Sequence, residues 1–89
     1  MTAQVLKIVN EKGLHARASA KFVEVVEEFD AQAYVEKDGM RVTGDSIMGL
    51  LMLAASRGTS IEVETSGAEA DKLAEALEAL VANRFGEDY

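Results

Sequence analysis

The sequence has no cysteine. A disulfide, a zinc finger, an iron–sulfur cluster and a thiol nucleophile are therefore excluded. Positive charge is scarce: 9 Lys and Arg stand against 16 Asp and Glu, for a formal net charge of -7, with 1 His. That balance disfavours a grip on nucleic-acid phosphates and attraction to an anionic membrane surface. Long hydrophobic runs are missing too. The longest, Ile47 to Ala55, reaches roughly half of what a membrane-spanning helix needs. Met1 to Lys7 lacks the basic stretch and long apolar segment of a secretory signal. The expectation is a soluble cytoplasmic monomer, with no membrane insertion and no nucleic-acid partner.

What is present is ordinary globular composition, 48% hydrophobic and 28% charged in 89 residues. That length holds one compact domain, expected to span residues 1–89. No linker, charge block or repeat divides it. Thr2 to Val9 alternates, Ala3, Val5 and Val9 on one side and Leu6 and Ile8 on the other, and reads as a strand. From Ala16 to Phe29 the period becomes helical: Ala18, Phe22, Val25, Val26 and Phe29 form the apolar stripe. Gln32 to Lys37 and Met40 to Thr43 read as strands around Asp38-Gly39, a two-residue hairpin signal. Ser46 to Ala54 reads as a short apolar helix with Asp45 or Ser46 as its N-cap. Ser60 to Thr65 alternates again. Glu69 to Arg84 is amphipathic, with a stripe of Leu73, Leu77, Leu80 and Val81 and Gly86 beyond its end. The order, βαββαβα, predicts an α+β fold with helices on one face of a largely antiparallel sheet.

His15 stands in Gly13-Leu14-His15-Ala16-Arg17, where a strand segment gives way to a helix. A lone His is most often an unremarkable surface imidazole. Here Gly13 permits an unusual backbone turn, and the helix start offers unpaired N–H groups and a positive dipole end. Arg17 adds a planar fork suited to phosphate oxygens. A nucleophilic nitrogen beside an anion-binding helix start suits a transient phosphohistidine, its phosphoryl oxygens held by Arg17 and the amides from Ala16 onward.

The same five residues closely resemble the active-site motif of the HPr family, the histidine-containing phosphocarriers of the phosphoenolpyruvate-dependent phosphotransferase system. Thr43-Gly44-Asp45-Ser46-Ile47-Met48-Gly49-Leu50 is similar to the family's second signature, around a regulatory serine. The resemblance covers the whole chain. It implies an open-faced sandwich, a four-stranded antiparallel sheet covered on one face by three helices. It implies that His15 takes phosphate from Enzyme I on Nδ1 and passes it to an Enzyme IIA-type acceptor, with Arg17 as charge partner. It implies no free-standing enzyme and no cofactor.

Ser46 has two compatible readings. As an N-cap it satisfies a helix amide. Through the resemblance it is also a substrate for an HPr kinase/phosphorylase, a phosphate being electrostatically welcome at a helix N-terminus. The helix that follows has more apolar residues than one buried face can use. With Leu50 and Leu53 inward, Ile47, Met48, Leu51 and Met52 are left partly exposed as a docking patch for Enzyme I and acceptors.

Some positions depart from the family pattern. Ala18 stands where many members have Pro, and Ala continues a helix well. Asp45, Glu24 and Glu27 stand where sugar-branch carriers are often basic. These acids are similar to the nitrogen-regulatory branch, whose carriers serve dedicated partners rather than sugar uptake. Two other classes compete. Asp45-Ser46-Ile47 before an apolar helix also resembles acyl carrier protein, with Ser46 bearing the prosthetic arm, but that architecture is all helical. A plain interaction module would use the Ile47–Met52 patch and leave His15 inert. No P-loop, paired-acid site or Ser-His-Asp set is present, and no EF-hand spacing suggests a metal.

Overall fold

A computed structural model describes all of residues 1–89. Its strands are β1 (Thr2–Lys7), β2 (Gln32–Lys37), β3 (Met40–Thr43) and β4 (Ser60–Ser66), and its helices are α1 (Ala16–Glu27), α2 (Ile47–Met52) and α3 (Ala70–Ala82). The strands form one sheet in the order β1-β4-β2-β3, every neighbouring pair antiparallel. Three helices cover one face of it, an open-faced sandwich. The sheet rules out the all-helical acyl-carrier architecture.

Alternation places the core. Register sets Leu6 opposite Ile61 and Val35 opposite Val63, all buried on the helix-covered side. On the open side Val5 is exposed, and Glu62, Glu64, Tyr34 and Arg41 make the surface. The helices add Phe22, Val26, Leu73, Leu77 and Val81 to the core. The β2–β3 turn uses Asp38 (φ 52°) and Gly39 (φ 82°), the mirror-image turn whose twist suits a hairpin.

Three helices end sooner than periodicity predicts. In α1 the amides of Glu28 and Phe29 bond three residues back, to Val25 and Val26, so the last turn tightens and stops before Phe29. The short helix runs only over Ile47–Met52, because the Leu53 and Ala54 amides likewise bond three residues back, to Leu50 and Leu51. α3 stops at Ala82 rather than Arg84. Arg84 and Phe85 take positive φ, 55° and 54°, which turns Phe85 under the helices, where it is fully buried. Burial of a Phe, about 2–3 kcal/mol, offsets a left-handed backbone cost of about 1–2 kcal/mol at each of the two residues. This left-handed turn, Arg84–Gly86, leads the chain back toward α1, where Lys21 donates to the Phe85 carbonyl.

Candidate functional site

His15 is held from behind by a tight turn. The Gly13 amide bonds the Asn10 carbonyl (3.2 Å), and the Asn10 side chain donates to the Gly13 carbonyl (2.8 Å). Gly13 has φ 67°, and a Cβ there would lie 2.5 Å from the Ala55 carbonyl oxygen. Only glycine meets both demands. The Leu14 amide bonds that same Ala55 carbonyl at 2.9 Å, and the Leu14 side chain is buried, so the residue before His15 is anchored.

His15 itself is the N-cap of α1, with extended backbone, and its carbonyl accepts the Ser19 amide at 2.8 Å. Its side chain does not cap the helix. The amides of Ala16 and Arg17 therefore have no acceptor in the protein, and the Arg17 side chain is exposed and free of ion pairs. These are the donors a phosphoryl group beside the ring would meet.

The imidazole is 28% exposed, and its Nε2 is hydrogen-bonded to Glu87 Oε2. No protein group hydrogen-bonds Nδ1. The other Glu87 oxygen accepts from the Asn10 side chain at 2.9 Å. Burial works against the Glu87 carboxylate, yet the hydrogen bonds from Asn10 and His15, with the charges of His15 and Lys12, hold it below the ordinary carboxylate range. Sequence reasoning missed Asn10 and Glu87. Asn10, fully buried, lies in an irregular loop, and Glu87 lies beyond the last helix. Neither shows in periodicity. The nearest clue is Gly86, which marks a chain turning back.

α2 leads into the Ala55 segment that backs the Gly13 turn, so it borders the same end of the molecule. Ser46 caps α2, its Oγ accepting the Gly49 amide at 3.0 Å. Leu50 and Leu53 are buried. Ile47 is 40%, Met48 71% and Met52 62% exposed, with Leu51 half-buried between them. The structure thus puts His15, Arg17 and the Ala16 amide together, with Ser46 and the apolar surface at the neighbouring helix.

The family model described as the PTS HPr component phosphorylation site matches residues 2–83. The chain belongs to the HPr family. Its members are phosphocarrier proteins of the phosphotransferase system. HPr of Neisseria meningitidis serogroup A is 48% identical over 87 residues, 98% of each chain. Among solved structures, HPr-C-His from Thermoanaerobacter tengcongensis superposes with a TM-score of 0.94 at 36% identity, covering 100% of both chains. HPr from Bacillus anthracis gives 0.85 at 38% identity, over 90% of this chain and 95% of that one. The same HPr fold is therefore kept while most residues differ. No helix here is long and apolar enough to cross a membrane.

Proposed function

We propose that this HPr-family chain carries a phosphoryl group on His15, accepting it from phospho-Enzyme I and handing it to an Enzyme IIA-type acceptor. The observation that carries the reading is the placement of His15: partly exposed at the N-cap of α1, Nδ1 unoccupied, with the Ala16 and Arg17 amides lacking acceptors. Nδ1 attacks phosphorus while the bond to the donor breaks, and the electron pair leaves on the donor. Such transfer is mostly positioning and charge stabilisation, and the amides and the Arg17 fork supply both. Residues 1–89 act as one carrier domain, working in the cytoplasm.

Ile47, Met48, Leu51 and Met52 form the docking surface for donor and acceptor. An exposed Met-containing patch adapts to several partners in turn. Ser46 phosphorylation by an HPr kinase would put a dianion at the edge of that patch and weaken docking. Asp45, Glu24 and Glu27, all exposed, favour a nitrogen-regulatory acceptor over a sugar permease.

The test is labelling with phosphoenolpyruvate and Enzyme I. The wild-type chain takes up acid-labile phosphate, and folded His15→Ala takes up none; label retained in that variant overturns the carrier reading. In the same assay Met48→Glu and Ser46→Asp raise the apparent KM for Enzyme I. Unchanged kinetics in both would move the docking surface elsewhere.

A further inference from the structure

The carrier reading uses Arg17 beside His15 and leaves a separate group of cations, Lys7, Arg57 and Arg84, without a role. These three line one surface depression together with Ile8, Val9 and Gly58. The surface has five depressions, and each of the others includes at least one carboxylate. This one includes none. A chain with 16 acidic and 9 basic residues thus gathers cations where no acid of its own offsets them. All three side chains are exposed, and none has an acid within salt-bridge distance. Glu87 lies in the adjoining depression, which shares Val9 and Arg84, but its two oxygens are taken by His15 and Asn10.

The backbone beneath these cations is fixed. The Ile8 amide bonds the Thr59 carbonyl and the Gly58 amide bonds the Ile8 carbonyl, both at 2.8 Å. The Thr59 amide closes the turn on the Ser56 carbonyl at 3.1 Å, so Arg57 rides on a turn stitched to the chain just after β1. Arg84 is anchored by its neighbour Phe85, which is fully buried. Ile8 uses both of its backbone groups on the turn, and the next amide in an extended chain faces the other way. That amide, of partly buried Val9, has no acceptor in the protein. Like charges held near one another repel, and an anion bound among them relieves the repulsion.

We infer that this depression binds a compact anion carrying two phosphate groups, at a site separate from His15. Two guanidinium forks match phosphate oxygens bidentately, and Lys7 adds a point charge. A single carboxylate would leave two of the three cations unneutralised, whereas two phosphate groups balance them. The Val9 amide is a further donor. No aromatic ring lines the depression, so nothing there stacks on a nucleobase and the phosphates themselves are what is recognised. The site makes no use of His15 and does not depend on the carrier reading.

The test is titration of the nitrogen-15-labelled chain with inorganic pyrophosphate at constant ionic strength, read by amide chemical shifts. The amides of Val9, Arg57, Gly58 and Arg84 move together along one saturation curve, in the millimolar range or tighter. Arg57→Gln and Arg84→Gln each weaken binding about tenfold, the scale of one charge-assisted hydrogen bond. Lys12→Gln, which removes an unpaired cation outside the depression, leaves binding unchanged. Spectra of the free variants, altered only near the substitution, show that they are folded. An absence of saturation overturns the inference. So does equal weakening by Lys12→Gln, since the response is then to net charge alone. Shifts centred on Ala16 and Arg17 that vanish in Arg17→Gln overturn it as well, and place the anion at the start of α1. None of these results bears on labelling of His15 by phosphoenolpyruvate and Enzyme I, so the two readings fail separately.

Discussion

On the open sheet face, at the β2–β3 hairpin and at the outer end of α3, cations are neutralised. Arg41 bonds Glu64 at 2.8 Å, lies near Glu36 and stacks on the Tyr34 ring at 4.6 Å, while Lys37 meets Asp38 and Lys72 meets Glu69. The Glu64 hydrogen bond raises the Arg41 pKa further. Around His15 the opposite holds. Lys7, Lys12, Arg17, Lys21, Arg57 and Arg84 have no acid partner within salt-bridge distance. Shallow depressions link several of them to the tail at Glu87. Exposed pairs contribute little to stability, so the paired face is mainly neutral surface. Unpaired cations are thus left, in a chain of net charge -7, at the end where the proposed function places the phosphoryl group. Glu87 is the acid at this end committed to His15.

The sharpest way to break this contrast is backbone rather than charge. Gly13 and Gly39 both have positive φ, but a Cβ at Gly39 would meet nothing within 4 Å. Gly39→Ala therefore costs about 1 kcal/mol, the left-handed penalty alone, or about 5 °C in Tm. Gly13→Ala must also displace the Ala55 carbonyl, for a total of about 3 kcal/mol and about 15 °C. Equal shifts in thermal melts would show that the turn behind His15 is no more constrained than the hairpin.

A smaller effect separates the two arginines. Arg17→Ala removes one charge-assisted hydrogen bond to the transferring group, about 1.5 kcal/mol, and slows phosphate exchange about tenfold. Its Tm stays near wild type, as usual for an exposed side chain in no ion pair. Arg41→Ala does the reverse, lowering Tm slightly and leaving exchange unchanged. Exchange kinetics and melts of the two variants decide the matter, and a stability loss at Arg17 with normal exchange would make it structural.

The smallest effect is in pH dependence. Glu87 holds its proton less readily folded than unfolded, so its contribution to stability is complete above the ordinary Glu range and is lost as pH falls through the lower folded value. The Tm gap between wild type and Glu87→Gln is therefore widest near neutral pH and closes as pH falls through that lowered value. A gap independent of pH would place Glu87 among ordinary surface acids.

Much of the fold was legible before any coordinates. Period-two alternation marks β4, with Ile61 and Val63 inward and Glu62 and Glu64 outward, because a strand turns successive side chains to opposite faces. Asp38-Gly39 specifies its turn locally, through the φ values it tolerates. The placement of His15 and Ser46 at helix N-caps, with Arg17 in the first turn after His15, was legible because each helix start is marked by neighbours within one turn. The helix ends were not: periodicity continues to Phe29 and Arg84, where end geometry and the burial of Phe85 close α1 and α3 early.

What the sequence by itself determined was local: the order of elements, the apolar stripes, the hairpin, and a histidine at a helix start. What only the tertiary structure decided was which distant groups that histidine would meet. Glu87 reaches His15 across 72 residues, through a tail folded back by Phe85, and Asn10 joins them by bonding Glu87 and the Gly13 turn with one amide. No spacing encodes such a contact, because it exists only once the core has been packed and the tail has been drawn over it.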